Sequence, residues 1–196
     1  MTVSPRVWFK EKAMADAAEG RLSPLKPEDW DPLLADVLAD LKSPLSIHNV
    51  VARNPVLMAN YVDFRNHIVK SSSLTGRQRE LIILRVAHQT ACAYEWDHHV
   101  VRGRDAGLQD DEIARVRLGP DAEGWALEES MLLRTVDDML TQTEIARPTW
   151  VAMCQSFDDN QLLDTIFTIG TYMIMSTILK TARVPHEDGF KVENPV

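Results

Sequence analysis

Residues 77–107 read RQRELIILRVAHQTACAYEWDHHVVRGRDAG, and the spacing of the apolar side chains in this stretch decides the fold class. Leu81, Ile82, Leu84, Val86 and Ala87 recur at helical intervals from Arg77 to about His88, without the alternation a half-buried strand requires. The segment Ala91 to Ala106 keeps the same period and stops at Gly107, a residue suited to the turn that ends a helix. Gln89 and Thr90 lie between the two runs and admit two readings. In one, a single helix passes through and brings His88, Cys92, Glu95 and His99 onto one stripe. In the other, Thr90 caps a new helix and Cys92 falls in its first turn, where orphan amides and the helix dipole stabilise a thiolate. Both readings make Glu95 and His99 an i, i+4 pair, with the carboxylate in reach of the imidazole.

The same periodicity extends in both directions. Pro27, Glu28 and Asp29 predict a helix start, with Leu33, Leu34, Val37, Leu38 and Leu41 on one face and Ser43-Pro44 as its end. A short helix is expected near Ile47 to Ala52, and Asn54-Pro55 opens another over Val56 to about Lys70. Downstream, helices are expected from Asp110 to before Gly119-Pro120, from Glu123 to Thr141, from about Pro148 to Phe157, and from a cap at Asp158 or Asp159 to about Ala182. The expected fold is all-α. No repeat and no Pro/Gly/Ser-rich linker divides the chain, so residues 1–196 are expected to form one domain, with an N-terminal helical extension over about 1–44 and a tail over 185–196.

Composition narrows the function classes. Of 196 residues, 45% are hydrophobic and 26% charged, the balance of a globular domain with its own core. A formal charge of -8 without a Lys/Arg cluster argues against nucleic acid as a partner. Cys92 and Cys154 are too few and too far apart for a disulfide framework or a zinc knuckle, which fits a reducing, cytoplasmic compartment. Met1 to Lys12 lacks the apolar core of a secretory leader, so the mature protein is expected to begin there. Leu162 to Leu179 is about bilayer length, but Asp164, Gly170, four threonines and Ser176 suit protein contacts better than lipid, and no membrane is expected. Leu162, Leu163, Ile166, Phe167, Ile169 and Ile174 make this helix apolar on more than one face, which predicts a homo-oligomer.

Reactive side chains concentrate between Glu80 and His99. A carboxylate and an imidazole in a shared apolar pocket make it easier for one of them to titrate near neutral pH, as acid/base work requires. The competing reading is structural: helical Glu/His pairs are often solvated, a lone cysteine is often core, and Glu80 has Arg77, Arg79 and Arg85 as ion-pair candidates. Glu95, His98 and His99 lack a convincing metal-ligand spacing, and no metal is expected. Tyr94 and Trp96 flank the motif as candidate walls of a substrate pocket. His48 and His67 lie on earlier helices that face the site in some packings.

Arg79-Glu80-Leu81, Leu84-Arg85-Val86-Ala87, Cys92-Ala93-Tyr94-Glu95-Trp96, His99 and Gly107-Leu108, with Asn54-Pro55 and Leu74-Thr75 upstream, resemble the carboxymuconolactone decarboxylase and alkylhydroperoxidase D (AhpD) family. The resemblance spans about Leu45 to Ile113 and is carried by the spacing Glu-x11-Cys-x2-Glu-x3-His. It implies an AhpD-like helical bundle assembled as a trimer or hexamer. In the peroxidase branch, a Glu, a Cys-x2-Cys pair and a His form a proton relay. Glu80, Cys92 and His99 match three of these positions, but Glu95 replaces the second cysteine, which removes the intramolecular disulfide of that cycle. The decarboxylase branch implies acid/base protonation without metal or organic cofactor, and Glu95 and His99 match it, while Cys92 stands where a polar non-thiol residue is usual.

The expected function is therefore cofactor-independent lyase, decarboxylase or isomerase chemistry on a small organic acid or lactone. Glu80, Cys92, Glu95 and His99 are the catalytic candidates, and Glu80 is expected to orient or tune the other groups. One alternative is a one-cysteine alkylhydroperoxidase-like peroxidase using Cys92, resolved by an external thiol. Another is a non-catalytic helical oligomer that binds a small ligand.

Overall fold

The computed structural model describes residues 21–191, so the Met1 to Lys12 segment, the first part of the N-terminal extension and the end of the tail lie outside the described residues. Among the described residues there are nine α-helices and no strand: α1 Ala35–Leu41, α2 Ser46–Val51, α3 Pro55–Asn66, α4 Gly76–Gln89, α5 Ala93–Asp105, α6 Asp110–Val116, α7 Leu127–Gln142, α8 Arg147–Ser156 and α9 Asp159–Ala182. The all-α, AhpD-like expectation holds. These residues fall into two compact units, one running to Asp63 and including Thr177–Gly189, the other formed by Phe64–Ser176 with the chain from Phe190.

Three boundaries differ from the sequence expectation. The helix expected from Pro27 is two 3-10 turns, Pro27–Asp29 and Pro32–Leu34, and α-helix begins only at Ala35. Pro32 has no N–H and holds Asp31 extended, and the Asp31 carboxylate accepts the Leu33 N–H instead of extending a helix. The helix expected from Glu123 starts at Leu127, because Gly124 adopts φ +96° in the preceding turn. The third boundary lies between α4 and α5. Ala91 takes a left-handed φ of 51°, so no single helix runs through the motif. Thr90 closes α4 rather than capping α5, and the N-cap of α5 is Cys92 itself.

The functional stretch lies in the second unit. Its central element is α4, whose Leu81, Ile82, Ile83, Leu84 and Val86 are fully buried and which packs against α5, α6 and α7. Each such side chain contributes about 1.5–3 kcal/mol on leaving water. The opposite sides of α4 serve two cores: Ile82, Ile83 and Val86 join Leu132, Val136 and Met153, while Leu81 and Leu84 join Trp96, Val100, Ile113 and Leu133. Thr75 and Gln78 form a reciprocal cap that fixes the start of α4.

Asp164 on α9 ties down the loop before α4. Its carboxylate takes hydrogen bonds from Ser73 N at 2.6 Å, Ser73 Oγ at 2.7 Å and Ser72 Oγ at 3.2 Å, and meets His67 Nε2 at 2.7 Å. Burial opposes its ionisation, but the His67 and serine donors outweigh it and hold the carboxyl down at about 2.

Helix α9 passes the length and hydropathy requirements for a membrane span, and half of its apolar window is buried inside the fold. Its Ile169, Met175 and Leu179 are buried, whereas Leu163, Phe167 and Ile174 are more than half exposed on another face.

Candidate active site

Glu80 lies one turn into α4 and His99 midway along α5, and the packing of these helices brings the two side chains into contact. Glu80 Oε2 is 2.6 Å from His99 Nδ1, and both residues are less than 5% exposed. On the other edge of the ring, Arg102 Nη1 lies 3.3 Å from Nε2. A guanidinium offers only N–H groups, so Nε2 presents its lone pair to Arg102 and the ring proton sits on Nδ1, donated to Glu80. Tyr172 from α9 packs edge-on against the ring, with centroids 5.0 Å apart.

The protonation states follow from the same contacts. Burial pushes the His99 imidazole below its ordinary value, against the attraction of Glu80, and the ring is neutral at pH 7. Burial disfavours the Glu80 carboxylate, but His99, Arg102 and Arg79 together hold its pKa below the usual range, so it is ionised.

Glu95 does not pair with His99, as its spacing had suggested. Its Oε2 is hydrogen-bonded to the Ser176 hydroxyl of α9, Ser176 Oγ lies 3.0 Å from Thr90 Oγ1, and Glu95 Oε1 is buried with no hydrogen-bond partner among the described residues. Burial pushes the Glu95 carboxyl up to about 8, while a hydroxyl donating from Ser176 pulls the other way. Near neutral pH the Glu80–His99 contact thus joins an ionised carboxylate to a neutral imidazole, while Glu95 on the same helix as His99 is a protonated carboxylic acid held at Ser176. Such a separation of proton affinities divides the roles of acid and base.

Cys92 is 2% exposed at the N-cap of α5, on the same helical face as Glu95 and His99 by its i, i+3, i+7 spacing. Cys154 is exposed on α8, and neither thiol is in a disulfide. His88 is exposed, sits edge-on to Trp96 with ring centroids 6.1 Å apart, and leaves the stripe, because the break at Ala91 rotates α5 relative to α4.

A cleft of about 450 Å³ opens beside the pair, lined by Glu80, Arg79, Arg102, Arg65, Asp105 and Tyr172 among others. Arg79 lies 3.8 Å from Glu80, Arg102 meets His99, and Arg65 bonds Asn66, so among the described residues none of the three guanidiniums is held in a close bidentate carboxylate pair. By contrast, Arg77 is taken by Glu112 and Glu129, and Arg85 by Asp137, which removes both as partners for Glu80.

Tyr94 and Trp96, the expected pocket walls, line a different environment. Trp96 packs in the second core with Arg117 over its ring at 4.6 Å, and Tyr94 stacks on His98 at 4.3 Å. Adjacent positions on α5 point about 100° apart, so both flank Glu95 without sharing its face. His67 is occupied by Asp164, and His48 accepts the Leu45 N–H at the start of α2. No cluster of three metal-ligating side chains occurs among the described residues. Of the three arginines the sequence offered to Glu80, Arg79 is the one that comes near it, at 3.8 Å. Sequence reasoning missed Thr90 as a partner of Ser176, and missed Ser176, Tyr172, Arg65 and Arg102, of which only Arg102 carried a local signal, one turn beyond His99.

Residues 55–133 match the carboxymuconolactone decarboxylase family. No curated protein matches the chain. Among solved structures, an uncharacterised peroxidase-related protein from Ralstonia eutropha JMP134, described as an alkylhydroperoxidase AhpD core, superposes with a TM-score of 0.73 at 14% identity over 90% of this chain and 97% of its own. A protein of unknown function from Agrobacterium tumefaciens, a candidate AhpD antioxidant defence protein by its description, gives 0.64 at 23% identity over 69% and 93%. The debrominase Bmp8, a cysteine-to-alanine variant in complex with 2,3,4-tribromopyrrole, gives 0.70 at 10% identity over 85% and 91%. Residues 55–133 thus resemble the carboxymuconolactone decarboxylase family, within an all-helical fold similar to that of AhpD-like structures.

Proposed function

We propose that this protein is a cofactor-independent lyase, decarboxylase or isomerase that moves protons on a small carboxylate-bearing or lactone substrate. The observation that carries the reading is the buried set of Glu80, His99 and Glu95, in which the 2.6 Å Glu80–His99 contact fixes the ring tautomer. His99 accepts a proton at Nε2, and the resulting imidazolium is stabilised by Glu80 at Nδ1. Glu95, a neutral acid, returns a proton to the carbon or oxygen that gains electron density. Arg65, Arg79 and Arg102 at the cleft offer guanidinium donors to a substrate carboxylate.

Turnover on lactones and unsaturated organic acids is expected for the wild type. Loss of turnover in both His99→Gln and Glu95→Gln, with helical circular dichroism intact, tests the assignment, and full activity in both variants refutes it. The protein is expected to act in the cytoplasm as a homo-oligomer, with the exposed Leu163, Phe167 and Ile174 of α9 as contact surface.

A second reading is supported by the placement of Cys92 at the N-cap of α5, where the helix dipole favours a thiolate. There Cys92 attacks the terminal oxygen of a hydroperoxide, the O–O bond breaks to release the alcohol, and an external thiol reduces the sulfenic acid. The peroxidase-related and debrominase descriptions of the structural neighbours keep this chemistry in view. Peroxide consumption that survives Cys92→Ser excludes it.

A further inference from the structure

A neutral His99 ring has one nitrogen lone pair to offer as a base, on Nε2, because Nδ1 carries the ring proton and donates it to Glu80. Arg102 Nη1 lies 3.3 Å from Nε2 and occupies that lone pair. The cleft is walled by Arg102, Glu80 and Tyr172, and His99 is buried behind them. A molecule entering the cleft therefore meets the guanidinium before it meets the base. Arg102 stands one turn beyond His99 on α5, is partly buried, and pairs with no carboxylate among the described residues. Its contact with a neutral nitrogen is long for a hydrogen bond. A carboxylate competes for it on better terms, with a full negative charge and two oxygens that a guanidinium takes through two parallel N–H bonds.

We propose that Arg102 is a substrate-operated cap on His99: a carboxylate seated in the cleft draws the guanidinium off Nε2 and exposes the base. Arg102 already lines the cleft, so rotation about its own side-chain bonds is enough, and α5 stays in place. Arg65 and Arg79 on the same walls complete the anion's surroundings. Two changes at His99 follow. Nε2 loses its donor, so its lone pair is free to take a proton from the substrate while the Nδ1 proton stays on Glu80. The bound carboxylate also neutralises the positive charge beside the ring, so the imidazolium forms more readily. Base strength arrives with the substrate, and Arg102 returns to Nε2 when the anion leaves. The inference rests on the base role given to His99 above. The other charged and titratable groups around the ring are Glu80 and Arg79 from α4, His98 from α5 and Tyr172 from α9. Glu95 and Cys92 lie one and two turns earlier on α5, and Asp105 and Arg65 border the cleft.

The test is nitrogen NMR of the His99 ring in protein labelled at its histidine nitrogens, with acetate as the probe anion at constant ionic strength. The His99 resonances are assigned by their loss in His99→Gln. The cap predicts that added acetate moves Nε2 of the wild type downfield, as for a ring nitrogen released from a cationic donor, while Nδ1 keeps its proton. Arg102→Ala takes that position without acetate, and acetate then leaves it unmoved. The midpoint of the His99 titration rises in Arg102→Ala by about 1–3 pH units, the range for a charge a few ångströms away. A wild-type Nε2 resonance that ignores acetate overturns the cap, and this arm stands even where Arg102→Ala fails to fold. So does an acetate shift of equal size in Arg102→Ala, or a midpoint that does not rise there. None of these readouts needs turnover. A responsive Nε2 in a protein without activity refutes the proposed function and keeps the cap, whereas activity that depends on His99 beside an unresponsive Nε2 does the reverse.

Discussion

Glu80 and His99 are separated by 19 positions in sequence and by 2.6 Å in space, and this contact joins α4 to α5 through a buried, charge-assisted hydrogen bond. The carboxylate is ionised and the ring neutral, so the pair holds a net negative charge that Arg79 and Arg102 offset. Removing either partner leaves the other without its compensation.

His99→Leu leaves the Glu80 carboxylate buried, with Arg79 at 3.8 Å as its remaining contact. The expected cost is about 3–5 kcal/mol in urea unfolding at pH 7. His99→Gln keeps a donor and costs less, while abolishing base function. Equal stability of the Leu and Gln variants contradicts this account.

Glu95 gives stability a distinctive pH dependence. Its folded pKa of about 8 stands above the ordinary 4.5, so between these values the unfolded chain releases a proton that the folded chain retains. Stability contributed by this group therefore falls as pH rises from 4.5 to 8 and is level above. Glu95→Gln is expected to gain on the wild type across that window, by a few kcal/mol at most, with no gain at more acidic pH. Chemical denaturation at pH 4, 6 and 8.5 measures the difference.

Asp164 acts in the opposite sense. Its pKa is lowered from 3.8 to about 2, so its contribution is present above pH 3.8 and is lost as pH falls through 2. Asp164→Ala removes the acceptor of three donors and the partner of His67, and is expected to cost about 2–4 kcal/mol at pH 7. Thermal melts should converge for variant and wild type near pH 2.

The two thiols separate by accessibility. Cys154 is exposed and Cys92 is 2% exposed, so a disulfide reagent should label Cys154 rapidly and Cys92 slowly in the folded protein. Comparable labelling rates in Cys154→Ser and Cys92→Ser show that the α4–α5 corner opens in solution.

Phe167 projects from α9 beside Phe64, with ring centroids 5.7 Å apart, and is half exposed. Phe167→Glu places a charge on the apolar face of α9 and is expected to shift the protein to a smaller species in sedimentation velocity, with helix content unchanged. A wild type that sediments as a monomer at micromolar concentration removes the premise.

The helices around the motif were legible because their information is local. Leu81 to Ala87 face a core at helical spacing, Thr75 with Gln78 caps one end, and Gly107 follows the other. The resemblance to the family was legible for the same reason, since Glu80, Cys92, Glu95 and His99 stand at fixed separations along two consecutive helices. The break between those helices was one of two readings, and what settled it is the left-handed backbone of Ala91, a conformation the Ala side chain does not advertise.

The amino-acid order alone thus determined an all-α chain, the segment that resembles the family and the reactive side chains it carries. Only the tertiary structure decided which group serves which. Spacing offered Glu95 to His99, yet helix packing gave His99 to Glu80 and sent Glu95 to Ser176, 81 positions away. Hydrogen bonds act over about 3 Å, and which donors come that close depends on how α4, α5 and α9 rotate to bury their apolar faces. Periodicity along any one helix does not contain that rotation.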